Sequence, residues 1–298
     1  MCQQSRRKLT ARVTNQQLDR RVFPDYDTFH DCCARGLSTV YPFKSAELPD
    51  PFGWKFSSGW PPSYSAFGRM RSLLAVHDSL RLKPKRVLEV AAGGGGLAAT
   101  LAAAGSEVSV NDLRGEFLAK AVAEYSTGNR IRIFGCNLFD LSPVETGKFD
   151  LVIACEVIEH VAHPADLLKH LKSFLEPGGR LLLTTPNGSY FRNKLPTFAG
   201  VKDFAELEAK QFKPDADGHL FLFTPRELSE VAASVGLAVE HLSVWGTPML
   251  TGHALFRVLA GLPLSKLAYR AENLAQRLPF SGREYFCFAM SAILRSES

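Results

Sequence analysis

Short apolar runs alternate along the chain with longer, mixed stretches. Val87 to Val90, Val108 to Val110, Ile131 to Phe134, Phe149 to Cys155, Arg180 to Thr184, Leu237 to Val244 and Tyr285 to Leu294 have the length and side-chain types of strands. Leu97 to Ala104, Phe117 to Tyr125 and Pro164 to Leu175 read as helices between them, the last with proline suited to its first turn. Upstream, Ser65 to Leu82 is an amphipathic helix with Phe67, Met70, Leu73, Leu74, His77 and Leu80 near helical spacing, and Pro84 ends it. His77 reads as a packing residue, and His163, before Pro164, as a helix-start residue. Strands separated by helices predict an α/β fold, a mainly parallel sheet with helices on both faces.

Two stretches break the rhythm. Residues 186–218 carry Pro186, Pro196, Pro214 and many charges, and a loop of that length inside a domain is usually functional. Thr224-Pro225-Arg226-Glu227 then opens a helix, with Thr224 as N-cap, Pro225 at its first position and Glu227 at the third. Residues 249–280 read as a helical insertion before the last strand, either a packed cap or dimer surface or a stretch lying on a membrane surface. Turn chemistry marks Pro177-Gly178-Gly179.

Composition changes this picture mainly at the amino end. Of a formal net charge of +5, much is carried by Arg6, Arg7, Lys8, Arg12, Arg20 and Arg21, opposed there only by Asp19. Residues 1–21 read as a solvated tail, with contact to phosphate or anionic lipid as the other reading. Residues 22–64 are dense in aromatic rings and proline, from Phe23 to Tyr64. Proline breaks regular structure and so many rings leave water, so this segment is expected to pack on the main domain. It is either a lid over a substrate pocket or an arm covering bare sheet. The division expected is therefore 1–21, 22–84 and a main domain over 85–298. No apolar run approaches a membrane span, no secretory signal is visible, and the six cysteines form no Cys-x-x-Cys pair, which reads as reduced thiols in a cytoplasmic protein.

The chemistry centres on Arg86-Val-Leu-Glu-Val-Ala-Ala-Gly-Gly-Gly-Gly-Leu97, a strand, a glycine turn and a helix start. Such a turn lets a ligand approach the backbone at the carboxyl edge of the sheet. Asp112 follows strand two, where a carboxylate can accept from both hydroxyls of a ribose. Asn137 follows strand three and can accept a hydrogen bond through its side-chain carbonyl oxygen, with the Leu138 amide beside it. The second informative stretch is Cys155-Glu156-Val157-Ile158-Glu159-His160-Val161. If the chain turns helical after strand four, Glu156, Glu159 and His160 are i, i+3 and i+4 and share a face. With His219 from Gly218-His219-Leu220 they make a candidate site for Mg²⁺, Mn²⁺ or Zn²⁺.

The glycine turn resembles motif I of the class I S-adenosylmethionine (SAM) methyltransferases, Glu/Asp-x-Gly-x-Gly-x-Gly, with Ala91 standing where that family has its first glycine. The resemblance implies a Rossmann-like seven-stranded sheet whose sixth and seventh strands form an antiparallel end. It places Glu89 near the methionine end of SAM, Asp112 on the ribose and Asn137 near the adenine. Ala91, Gly93, Gly95, Leu113, Leu138 and Glu156 complete the expected cofactor set. Glu-x-x-Glu-His and the later histidine resemble two metal-using branches, the ubiquinone-biosynthesis O-methyltransferases and the small-RNA 3′-terminal 2′-O-methyltransferases. In other methyltransferases with this motif no metal is established; the first acid lines SAM and the histidine supports the pocket.

The expected reaction is O-methylation of a hydroxyl on a small, apolar or aromatic molecule, with Glu159, His160 and His219 as the catalytic residues, assisted by a metal or by histidine as general base. RNA 2′-O-methylation is the rival within the same chemistry. Lys194, Lys202, Lys210 and Lys213 favour it, but Asp203, Glu206, Glu208, Asp215 and Asp217 offset them. A nicotinamide oxidoreductase would carry Gly-x-Gly-x-x-Gly, whereas this chain reads Ala91-Ala-Gly-Gly-Gly-Gly96. A SAM-binding scaffold without catalysis is the remaining alternative.

Overall fold

The computed structural model describes residue 71 and residues 74–123, 131–211, 218–248 and 265–297. The expectations for segments 1–21 and 22–64, for the start of the first helix and for residues 249–264 lie outside the described residues.

Seven strands form one sheet: β1 (Arg86–Val90), β2 (Glu107–Asn111), β3 (Arg132–Phe134), β4 (Phe149–Cys155), β5 (Leu175–Pro186), β6 (Leu237–Trp245) and β7 (Ala289–Ser296). Their order is β3-β2-β1-β4-β5-β7-β6, and only β7 runs antiparallel to its neighbours. The helices are α1 (74–81), α2 (Gly96–Ala103), α3 (Gly115–Ala123), α4 (Pro143–Thr146), α5 (Pro164–Ser173), α6 (Phe204–Lys210), α7 (Pro225–Ser234), α8 (Ser265–Ala275) and α9 (Phe280–Phe286). The expected sheet with its antiparallel end is the one observed.

The strands bury both faces. Val87, Val108, Val110, Leu151, Ile153 and Leu182 pack with Leu97 and Leu101 of α2 and Leu118 of α3. Leu88, Val90, Val152, Ala154, Leu181 and Leu183 pack against Leu167, Leu168 and Leu171 of α5 and Leu228 of α7. Alternate residues along one strand point to opposite faces, so continuous apolar runs require helices on both. The strand order reverses between β1 and β4, where Val90 pairs with Ala154. Ligand crevices of open α/β sheets form beyond the carboxyl ends at such a point. Gly115 and Gly135 bring the loops after β2 and β3 together there: a Cβ on Gly115 would stand 2.5 Å from the Gly135 Cα.

Several boundaries differ from the sequence expectation. The helix expected over Phe117 to Tyr125 begins at Gly115. α5 stops at Ser173, because Leu175 already pairs with Phe149 and opens β5. The last strand begins at Ala289, not Tyr285, because residues 280–286 coil into α9. Rings of Tyr285 and Phe286 pack on each other and on Phe191, so aromatic clustering across a loop produced the strand-like sequence. The helix at Thr224 has the expected cap: Thr224 Oγ1 accepts from the Glu227 N–H at 3.2 Å, and the Glu227 carboxylate accepts from the Thr224 N–H at 2.8 Å.

Candidate active site

At the end of β1 the Glu89 side chain turns under α2, where it accepts the Ala98 N–H at 2.9 Å. Burial pushes its carboxyl up to about 8; the Ala98 N–H opposes this and the nearby Asp112 charge adds to it. Ala91 and Gly93 then take left-handed backbone, with φ of 49° and 55°. Glycine adopts this region without strain, whereas a residue with a Cβ does so at a cost of roughly 1–2 kcal/mol. A Cβ on Gly93 would meet nothing within 4 Å, so the turn faces open space. Gly95, also left-handed at φ 70°, caps α2.

Asp112 draws this turn to the end of β2. Its Oδ2 accepts the Gly93 N–H at 2.8 Å and its Oδ1 the Arg114 N–H at 2.8 Å. Leu113 beside it is exposed. Asn137 caps a short 3-10 turn, accepting the Phe139 N–H at 3.1 Å, and the Leu138 carbonyl accepts from His170 Nε2 at 2.8 Å. Glu89, Ala91, Gly93, Gly95, Asp112, Leu113, Asn137 and Leu138 thus all lie at or beyond the carboxyl ends of β1, β2 and β3.

The stretch after β4 departs from the helical expectation. Glu156 takes φ 56°, and Ile158–His160 form a 3-10 turn instead of an α-helix. Glu156 therefore does not share a helical face with Glu159. Its Oε2 pairs with Arg71 Nη1 at 2.8 Å and its Oε1 accepts from Thr184 Oγ1 at 2.9 Å. Glu159 is held by the next residue of β5, with Thr185 Oγ1 donating to its Oε2 at 3.0 Å. Thr184 and Thr185 are consecutive on β5, and each holds one of the two acids.

Glu159 meets both histidines. Its backbone carbonyl accepts the Leu220 N–H at 2.9 Å, which brings His219 Nε2 to 3.9 Å from Oε1. The His160 and His219 rings meet edge to face at 4.9 Å, and His160 Nδ1 lies 3.2 Å from the Gly218 carbonyl. One ligand atom from each of the three residues lies within 4.8 Å of the others. Glu159 is completely buried and its Oε1 has no hydrogen-bond partner. Burial, then the Glu156 charge, raise its pKa well above the ordinary carboxylate value. Burial, then the His160 charge, lower that of His219. A neutral imidazole beside a carboxyl group that resists ionisation can accept a proton or take a cation.

The structure thus brings Glu159, His160 and His219 together and turns Glu156 toward Arg71. Sequence reading missed Arg71, Thr184 and Thr185. Two threonines closing an otherwise apolar strand were the available signal for the last pair; Arg71 left none. A cavity of 1190 Å³ lies elsewhere, among Lys148, Lys169, Lys172 and Arg295, and shares no residue with this site.

A family model described as a methyltransferase domain matches residues 66–242. The ubiquinone biosynthesis O-methyltransferase of Xanthomonas euvesicatoria pv. vesicatoria (strain 85-10) is 31% identical over 170 residues, which is 56% of this chain and 69% of that protein. The protein of the same name from Coxiella burnetii (strain RSA 331 / Henzerling II) is 29% identical over 163 residues, 54% of this chain and 67% of its own. Magnesium protoporphyrin IX methyltransferase from Synechocystis PCC 6803, solved with bound SAH, shares the fold. Its TM-score is 0.50 at 16% identity, covering 82% of this chain and 93% of that one.

Proposed function

The chain belongs to the methyltransferase-domain family and is a SAM-dependent methyltransferase, and from that premise we propose that it methylates a hydroxyl on a small, partly apolar or aromatic molecule. The observation that carries this reading is the buried, unpartnered Glu159 Oε1 facing two imidazoles beside the cofactor crevice. A hydroxyl must lose its proton to become a good nucleophile, and these three side chains are suited to take it. The names of the two bacterial relatives support oxygen as the methylated atom.

SAM supplies an electrophilic methyl group on a sulfonium that leaves as a neutral thioether. The protein's part is to hold donor and acceptor in line. Glu89 faces the methionine end, with Arg71 and Glu156 completing that wall. Asp112 takes the ribose hydroxyls, and binding there exchanges some of its backbone contacts for the ligand's. Asn137, Leu113 and Leu138 border the adenine. As the acceptor oxygen bonds to the methyl carbon and the carbon–sulfur bond breaks, the hydroxyl proton passes to His219. Its lowered pKa keeps the ring neutral and receptive at neutral pH. Glu159, whose Oε1 lies 3.9 Å from Nε2, backs that ring.

The same three residues fit a divalent cation by donor chemistry, one carboxylate with an unused oxygen and two imidazoles. Mg²⁺, Mn²⁺ or Zn²⁺ held there by Glu159, His160 and His219 would acidify and orient the hydroxyl. Glu156 lies outside that ligand set, engaged by Arg71 and Thr184. No helix among the described residues is long and apolar enough to cross a membrane, and cytoplasmic action with, at most, peripheral membrane contact fits the proposed acceptor.

Two assays test this. Methyl transfer from labelled SAM to catechols and phenols should exceed transfer to RNA oligonucleotides and be lost in His219→Ala. Transfer to RNA alone would overturn the acceptor class, and SAH binding without transfer to any acceptor would leave a scaffold. Calorimetric titration of chelator-treated protein with Zn²⁺, Mn²⁺ and Mg²⁺ tests the cation. A binding heat lost in Glu159→Ala is expected, and no heat from any of them would reject it.

A further inference from the structure

His219 has a second side. Together with Gly218 and Leu220 it forms one wall of an open groove of 610 Å³. The opposite wall is Leu195, Pro196, Gly200, Val201 and Lys202 with helix α6. That volume is within the range of small-molecule pockets, roughly 300–1,000 Å³. Leu195, Pro196, Val201, Leu207 and Leu220 make its surface apolar. Lys202, Asp203, Glu206 and Lys210 also line it, two charges of each sign, and Lys210 is paired to Glu206 at 2.5 Å. A groove reading a phosphate chain would show an excess of positive charge; this one is balanced.

The walls are held from outside. Glu227 of the α7 capping box accepts the Ala199 N–H at 2.8 Å, and Phe198 packs on Phe221 and Phe223 with ring centroids 5.1 Å apart in each case. α6 is tied to the loop before α5: Gln211 Oε1 accepts the Ala162 N–H at 2.9 Å, His163 Nε2 meets Glu208 Oε1 at 2.6 Å, and the His163 ring stacks on Phe204. Part of the expected functional loop 186–218 is therefore a built wall whose inner face ends at the proton-handling histidine.

We infer that this groove binds the uncharged apolar body of the acceptor, with the acceptor's hydroxyl placed at His219. The inference rests on the proposed hydroxyl methylation. It adds the place where acceptors are told apart and the residues that do so, Val201, Leu207 and Leu220. The occupant follows from three features: His219 is common to groove and site, the surface is apolar, and the rim carries no net charge. An acceptor with a longer apolar substituent buries more of it here, at roughly threefold in affinity per methylene.

The test uses the full-length protein saturated with SAH and a series of 4-alkylcatechols from methyl to octyl as probes, with binding measured by equilibrium dialysis. Methyl transfer from labelled SAM is measured separately. Binding is expected to tighten stepwise with chain length in the wild type. In Val201→Trp, which fills the groove, the loss should grow with chain length, from about threefold for methyl to on the order of 10³–10⁴-fold for octyl, while SAH affinity stays the same. Val201→Asp, which sets a charge in the apolar wall, serves the same end if the tryptophan variant fails to fold.

Equal binding of the methyl and octyl probes to the wild type would overturn the groove assignment. So would a uniform loss across the series in the variants, or no binding by any member. Displacement of 4-octylcatechol by a single-stranded RNA oligonucleotide would overturn it in favour of nucleic acid. Chain-length-dependent binding without methyl transfer would sustain the groove and reject hydroxyl methylation. Methyl transfer indifferent to chain length would do the reverse.

Discussion

On the β1–β2 side of the sheet edge, acidic groups are already satisfied. Glu89 accepts from Ala98, and Asp112 accepts from Gly93 and Arg114. On the β5 side, Glu159 is more deeply buried yet has one oxygen with no partner. The first arrangement is a scaffold: its carboxylates fix backbone amides and so shape a crevice for a ligand. The second is a group kept short of partners. A buried polar atom left unpaired costs roughly 1–3 kcal/mol, and such costs persist where a ligand, proton or ion supplies the missing partner. The two β5 threonines mark the boundary, one holding Glu156 toward Arg71 and the other holding Glu159 toward the histidines.

The division implies that damage on one side spares the work of the other. The largest effect is expected at His219→Ala and Glu159→Gln, where labelled methyl transfer should fall by about 10²–10⁴-fold, the usual worth of a positioned acid–base group. SAH affinity should stay within about twofold in both, since neither residue belongs to the cofactor crevice. Asp112→Ala should weaken SAH by about 100-fold in calorimetric titration, the loss of two hydrogen bonds to a charged acceptor at ~1.5 kcal/mol each. A variant that lost both transfer and SAH binding in equal measure would erase the division.

The pH dependence of the ligand-free protein sharpens the contrast between Glu89 and Glu159. Both carboxyl groups are raised by burial, Glu89 to about 8. The folded chain then binds protons that the unfolded chain releases above its ordinary carboxylate pKa. This contribution to stability is fully present below about 4.5 and is lost as pH rises toward 8, with a slope of at most about 1.4 kcal/mol per pH unit for each proton. Thermal denaturation across that window should show the decline, and Glu89→Gln should flatten it in part, leaving the share due to Glu159 and to Glu272, whose carboxyl burial also raises. An unchanged slope would mean that Glu89 is ionised in the folded chain.

The smallest effect concerns Ala91. Its left-handed backbone at φ 49° carries a Cβ where glycine would be unstrained. Ala91→Gly is expected to raise thermal stability by about 1 kcal/mol. Destabilisation of that size would show that the methyl group makes a contact worth more than the strain.

What the sequence disclosed was local. Glu89, the glycines and Asp112 are legible because the spacing within one strand–turn–helix unit fixes their relative positions. The capping box at Thr224 and Glu227 is legible for the same reason. Glu159, His160 and His219 were singled out as chemistry, but the geometry joining them was not, since a left-handed Glu156 has no signature in a residue type that rarely adopts it. The helical face expected for Glu156 therefore never forms. Arg71 reaches Glu156 only through tertiary packing, and the extended β5 arises from the pairing of Leu175 with Phe149. The onset of β7 was displaced because Tyr285 and Phe286 cluster with Phe191, a contact across a long sequence gap.

The most direct measurement is one calorimetric series, SAH titrated into the wild type, Asp112→Asn and His219→Ala under identical conditions. The wild type and His219→Ala should bind with the same affinity while Asp112→Asn binds markedly more weakly. Equal weakening in the two variants would contradict the separation of cofactor binding from proton handling across the sheet edge.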